Sequence, residues 1–270
     1  MPRAAGRGKL RCMPTPALSI TVLGSGTAVP EPDRFPAGYL VRGGGATVLV
    51  DCGPGILRRL AQAKVGLEDI GAILLTHFHT DHTADLAAFL FALRNPRYRG
   101  RAPLLLLGAR GLEEWLAHLT AAWPWLRPRG DDYVLEVREI EPGEHRIADL
   151  AVGAFPVNHT AHSLAYRLSA GGAVATLSGD ADEGAGLVDA ARAADLFVCD
   201  SAFPDALYQP GHLTPGRAGA IAAQAGARTL CLTHFYPECR GVDLMAQARA
   251  TFAGRVVLAQ DLLRFDLAGR

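Results

Sequence analysis

The chain has 270 residues, of which 49% are hydrophobic and 20% charged, with 27 basic residues against 27 acidic ones. This apolar content supports a sizeable core and excludes a disordered chain, which combines low hydrophobicity with high net charge. The zero balance also excludes a protein that coats nucleic acid through bulk positive charge, while leaving a local basic patch open.

The basic stretch 1–12 is followed by no apolar h-region, so a cleavable signal peptide is not expected. Residues 1–17 read as a leader, with Met13 as an alternative start, and residues 18–270 as one catalytic domain. Short β-rich runs then alternate with helical patterns. SITVLGSG (19–26) and YLVRGGGATVLVDCG (39–53) read as strands, the second folded at Gly43-Gly44-Gly45 into a hairpin. A helix with Ile56, Leu57, Leu60 and Ala63 on one face follows. AILLT (72–76) is a buried strand, 83–95 a helix closed by Asn95-Pro96, 103–108 a strand, and 112–122 a helix. Several strands are expected over 133–178, then strands at 195–202 and 229–235, with helices at 183–194 and 215–226 between them. Residues 256–267 close the chain. GSGTAV (24–29) lacks the GxGxxG spacing and runs into a proline-rich segment, so a dinucleotide loop is not expected.

Cys12, Cys52, Cys199, Cys231 and Cys239 are odd in number and form no CxxC pair, which favours a reducing cytoplasm over a disulfide framework. No window approaches 18 apolar residues, so nothing is expected to span a membrane.

The chemistry concentrates in Thr76-His77-Phe78-His79-Thr80-Asp81-His82. These side chains leave a buried strand and enter a tight turn before a helix. Four donors so close cannot all hold one ion, so the spacing sets His77 and His79 on one metal and Asp81 and His82 on a second. Three more polar residues stand at strand ends: His159 after VGAFPVN, Asp180 after VATLSG, and His234 after LCLT. Each alone suits an ordinary loop. Together the seven donors are enough for two metals sharing one carboxylate.

GSGTAVPEPDRFPAGYLV, VDCGPG, THFHTDH, NHT, SGD, GHLTP and LTHF, in this order, resemble the metallo-β-lactamase fold superfamily, and in particular its RNase Z-like branch of phosphodiesterases. The resemblance runs from about Ser19 to Leu267. It implies a mixed α/β, four-layer αββα sandwich with a dinuclear site at one edge of the two sheets. His77, His79 and His159 would hold one ion, Asp81, His82 and His234 the other, with Asp180 bridging. Zn is the default ion, and Mn and Fe suit the same donors. Asp51, at the end of TVLVD, matches a carboxylate that orients a metal-binding histidine, although a turn-capping role before Gly53-Pro54 accounts for it as well. His212 in Gly211-His212-Leu213-Thr214 matches a histidine that reaches the scissile phosphate or its leaving oxygen; Thr214-Pro215 also reads as a helix entry.

The function so implied is a dinuclear hydrolase using a hydroxide held between the metals on a small phosphodiester or short RNA or DNA. Asp81 and His212 are the candidate catalytic residues. His162, three residues after His159, either lines the cleft or is exposed. Arg97 and Tyr98, within the arginine-rich run 94–101, form either a phosphate-binding and base-stacking rim or a solvated loop. Trp123-Pro124-Trp125-Leu126 is expected to pack a loop near the cleft mouth.

Three other functions remain open. tRNA 3′-end processing is one, but only 20 residues separate His159 from Asp180, too few for the tRNA-grasping arm that the resemblance places there. Hydrolysis of a lactone, lactam or thioester is another, and a non-catalytic metal-binding scaffold is the third. A homodimer is implied by the resemblance alone.

Overall fold

The computed structural model describes residues 16–130 and 132–270. Residues 1–15 of the expected leader, with Cys12 and Met13, lie outside it, whereas Ala17 already donates its N–H to the Leu267 carbonyl at 3.0 Å.

The first half builds β1 (Leu18–Gly24), β2 (Gly38–Gly43), β3 (Ala46–Val50), α1 (Ile56–Gln62), β4 (Ala72–Leu75), α2 (Thr80–Ala92), β5 (Leu104–Gly108), α3 (Leu112–Ala122) and β6 (Leu135–Glu139). The expected hairpin joins β2 to β3 through Gly44 and Gly45, whose φ values of 55° and 73° form a two-residue turn that side chains resist. From β3 to β6 the strands run parallel. Parallel strands covered on both faces carry continuous apolar runs, which is why AILL and LLLLG show no polar alternation. Along β4, Ala72 and Leu74 enter the core between the sheets, and Ile73 and Leu75 enter the core under the helices.

The second half builds β7 (Gly143–Ile147), β8 (Leu150–Pro156), β9 (Leu164–Ala170), β10 (Ala173–Leu177), α4 (Ala185–Ala191), β11 (Leu196–Asp200), α5 (Pro215–Ala225), β12 (Thr229–Thr233), α6 (Leu244–Arg249), β13 (Arg255–Leu258) and β14 (Arg264–Leu267). Among the described residues the sheets run β14-β1-β2-β3-β4-β5-β6 and β13-β12-β11-β10-β9-β8-β7. The closing stretch 256–267 therefore splits, β13 ending one sheet and β14 returning to pair with β1 in the other.

α1, α2 and α3 cover the outer face of the first sheet, and α4, α5 and α6 pack on the second, giving the expected αββα layers. Two differences from the sequence reading matter. α2 starts at Thr80 rather than 83, because its first turn is polar and carries no apolar period. α6 was not expected; its start is marked by Asp243, whose side chain accepts from the Ala246 N–H at 2.9 Å.

The sheets are joined near one end. Tyr166 of β9 is fully buried and donates its hydroxyl to the Leu75 carbonyl at 2.8 Å, and the Leu164 N–H donates to Thr76 O at 3.0 Å. No helix among the described residues is long and apolar enough to cross a membrane.

Candidate metal centre

Asp51, His77, Asp180, Asp200 and His234 all stand at or just past the carboxyl ends of parallel strands, where open α/β sheets place their ligands. His159 follows β8 at the same edge. The turn after β4 feeds α2, whose first turn brings Asp81 and His82 back beneath β3. This return is sewn in by backbone bonds: the Cys52 N–H donates to His82 O at 2.6 Å, and the Asp85 N–H to Cys52 O at 3.0 Å.

Gly53 makes that approach possible. A Cβ there would lie 2.0 Å from the Asp81 carbonyl oxygen, inside contact distance with backbone that cannot swing away. Gly53→Ala is expected to cost about 1–3 kcal/mol by overpacking, seen as a lower midpoint in urea unfolding. Gly179 serves the facing sheet: its φ is 60°, and a Cβ would lie 2.8 Å from that of Thr76. Asp51 and His234 hold φ of 59° and 62°, left-handed backbone that non-glycine residues keep mainly where the surroundings impose it.

Two donor sets converge, and Asp180 divides its oxygens between them. In one, His77 Nε2 and His159 Nε2 lie 3.0 and 3.1 Å from His79 Nδ1, and 3.8 and 3.7 Å from Asp180 Oδ2. In the other, Asp180 Oδ1 lies 3.0 Å from His82 Nε2 and 3.2 Å from His234 Nε2, and Asp81 Oδ2 lies 3.4 Å from His234 Nε2. Four donors bound at about 2.0–2.1 Å in tetrahedral array sit roughly 3.3 Å apart, so these spacings match ligands around an ion. His82 Nε2 and Asp180 Oδ1 are buried and face each other without forming an aligned hydrogen bond. Orphaned atoms of this kind are rare in folded proteins and are accounted for by a cation between them. The imidazole and carboxylate set fits two divalent metal ions. His79, exposed to solvent, leaves the first set open at the surface.

The far sides of the His82 and His159 rings are fixed. His82 Nδ1 is 2.7 Å from Asp51 Oδ2, and Asp51 also accepts from the Thr76 N–H at 2.8 Å and from the Thr76 hydroxyl. His159 Nδ1 donates to Gly211 O at 2.8 Å. Each contact leaves Nε2 free to face the centre. Asp51 thus holds the His82 ring. Asp51→Ala is expected to lower metal affinity 10- to 100-fold, measured by competition with a chromogenic chelator.

Electrostatics divides the two sets. Burial, with the neighbouring imidazole of His82, pushes His77 down to about 2, so it is neutral and ready to ligate. Burial opposes ionisation of Asp180, yet the imidazoles of His234, His82 and His77 outweigh it and hold its carboxyl well below the usual range. Burial likewise opposes a charge on His234, but Asp180, Asp200 and Asp81 raise it to about 10. The carboxylate-rich half draws positive charge, which protons supply in the bare protein and ions supply when bound.

His212 sits beside the second set, its ring 5.5 Å from that of His234 and 4.9 Å from that of His159. Its Nδ1 is 2.9 Å from Oδ2 of Asp200, a fully buried carboxylate that the sequence reading missed. Asp200 ends the apolar run LFVC as Asp180 ends VATLSG, so the same strand-end signal marks it. It also accepts from the Ala181 N–H at 3.1 Å, next to Asp180.

Other candidates stay outside the cluster. His162 is exposed on the turn after His159. Arg97 and Tyr98 lie beyond the far end of α2, whose 13 residues span about 20 Å from the metal motif. There Arg97 pairs with Glu68 at 3.4 Å and lies over the Tyr98 ring. Trp123 and Trp125 are largely exposed, on a turn that packs against α2 and α3.

Layered αββα packing with two carboxylate-linked histidine sets at the strand ends defines a metal-dependent hydrolase of the metallo-β-lactamase type. The β-lactamase superfamily domain matches residues 46–235, and the chain belongs to that family. It is 32% identical to a ribonuclease Z of Mycobacterium marinum across 94% of this chain and 100% of the relative. Among solved structures, the metallo-β-lactamase fold protein YhfI of Bacillus subtilis superposes with a TM-score of 0.78 at 25% identity, covering 92% of this chain and 98% of that one. The short form of human tRNase Z follows the same fold, with a TM-score of 0.74 at 23% identity over 92% and 98%.

Proposed function

We propose that the chain is a dinuclear phosphodiesterase acting on small phosphodiesters or short single-stranded nucleic acid. One observation carries this reading: Asp180 presents one oxygen to each donor set, and the His212–Asp200 pair stands beside them. His77, His79 and His159 would hold one ion, Asp81, His82 and His234 the other, with Asp180 shared; Zn suits this set best. Bound there, the two ions supply Lewis acidity for the phosphoryl oxygens and acidify water near neutral pH.

The protein's own groups complete the chemistry. His212 donates to Asp200 through Nδ1, which leaves Nε2 turned away from that anchor to hold a proton for the departing oxygen. Burial opposes a charge on this ring, but Asp200 outweighs it and raises the histidine above its ordinary value, favouring the proton-carrying form. Asp81 is pulled down to about 2: burial resists, but the bond to His234 and the charge of His82 prevail. It is thus anionic at neutral pH, able to ligate a metal or accept a hydrogen bond from the nucleophile, but too acidic to retain its proton.

Ribonuclease Z activity is the second reading, favoured by the M. marinum relative. Between His159 and Asp180 the chain forms only β9, a two-residue Gly171-Gly172 turn and β10, so no arm extends there to grasp tRNA. The four described cysteines are buried and unpaired, as suits a reducing cytoplasm.

Turnover of bis(p-nitrophenyl) phosphate, a lactone, a β-lactam and a tRNA precursor, before and after chelation, separates these readings. The diester should be cleaved, chelation should abolish the activity, and Zn should restore it. Cleavage of the lactone or lactam alone would reject the proposal. Strong preference for the precursor over a short single-stranded RNA would favour the second reading.

A further inference from the structure

A cleft of about 830 Å³ is lined in part by Phe235 and Tyr236, which directly follow His234, and by none of the metal-facing donors. The Tyr236 ring stands edge-on to His234 at 5.9 Å and to His212 at 6.2 Å. One of its faces is closed by Phe203, stacked at 4.6 Å with the planes 12° apart. Tyr236 is anchored by its N–H, which donates to Ala202 O at 3.1 Å. Tyr236 is part of the cleft lining and Phe203 is not. We propose that the face of Tyr236 opposite Phe203 turns to the cleft and is a stacking surface for the nucleobase of a nucleotide whose phosphate lies at the metal centre.

The cleft walls favour an uncharged ring over a second phosphate. Its lining carries Arg34, Arg59 and Arg240 against Glu31, Asp33 and Asp261, which balance. These arginines are also engaged. Arg34 donates to Ser25 Oγ at 2.6 Å and Ala259 O at 2.7 Å and lies over the Phe235 ring; Arg59 pairs with Asp261 at 2.8 Å; Arg240 pairs with Glu31 at 2.9 Å. A phosphate would have to displace those partners, whereas a planar ring needs only the aromatic face. The ribose of a nucleotide bridges the interval between a ring on Tyr236 and a phosphate beside His212 and His234. The same platform accepts any base, because every base has a π-face.

This inference rests on the phosphodiester reading for the place of the phosphate, so its test reads binding and not turnover. Calorimetry on the Zn-loaded protein would compare adenosine 5′-monophosphate with ribose 5-phosphate, which differ only in the base. The nucleotide should bind about tenfold more tightly, the worth of one stacked base. Tyr236→Phe should keep that ratio, while Tyr236→Ala and Tyr236→Leu should each bring it to within about twofold of one. Equal affinities in the unaltered protein, binding of neither compound, or a preference that survives Tyr236→Leu would overturn the proposal. A protein that fails to cleave diesters yet shows the Tyr236-dependent ratio would reject the reaction assigned above and leave the base subsite standing.

Discussion

Asp180→Ala is expected to remove both ions and to lower diester turnover by about 10⁴ or more. The size follows from the position of the two oxygens: Oδ2 faces His77 and His159, and Oδ1 faces His82 and His234. Removing one side chain therefore takes a ligand from both sets at once. Lewis-acid stabilisation by bound metal is worth several kcal/mol, and each 1.4 kcal/mol is tenfold in rate. Substitution at an outer ligand should behave differently: His79→Ala, at the exposed edge of the first set, should weaken one ion and spare the other. Metal content by atomic emission, with thermal melts on the same samples, checks both variants. Two tightly held ions and full turnover in Asp180→Ala would overturn the ligand scheme.

The seven donors are legible in the sequence because His77, His159, Asp180 and His234 mark places where an apolar strand stops, and His79, Asp81 and His82 crowd into the turn after the first of these strands. VGAFPVN, VATLSG and LCLT are unambiguous strands, and a histidine or aspartate at their end has no burial reason to be there. The layers are legible for the same reason, since continuous apolar runs require cover on both faces. What escapes is what depends on tertiary approach. Asp200 ends a strand like the others, but it touches no metal-motif neighbour in sequence, and only the fold sets it against His212. The first turn of α2 hides because its residues face the metal cluster and carry no amphipathic period. Tyr98 and Tyr236 are equally aromatic in sequence. The length of α2 removes the first from the centre, and the ring contacts bring the second to it.

His212→Ala is expected to keep both ions and to lose about 10²–10⁴ in kcat on RNA, the range for removing a positioned acid. The loss should depend on the leaving group. A ribose alkoxide departs poorly without a proton, whereas p-nitrophenolate is a stable anion and needs none. On bis(p-nitrophenyl) phosphate the same variant should therefore retain most of its turnover. Asp200→Asn tests the anchoring of the ring. It keeps the volume of a fully buried side chain but replaces the carboxylate that lies 2.9 Å from His212 Nδ1. Its deficit should follow the same leaving-group pattern, smaller than that of His212→Ala, because the ring remains and only its anchor weakens. In the double variant the two effects should fall well short of additive, as they do for residues that act as one unit. A loss equal on both substrates would instead mean that His212 binds the phosphate without supplying its proton. Metal content would then decide whether Asp200 acts through His212 or through His234, whose Nδ1 lies 3.7 Å from the other oxygen of the same carboxylate.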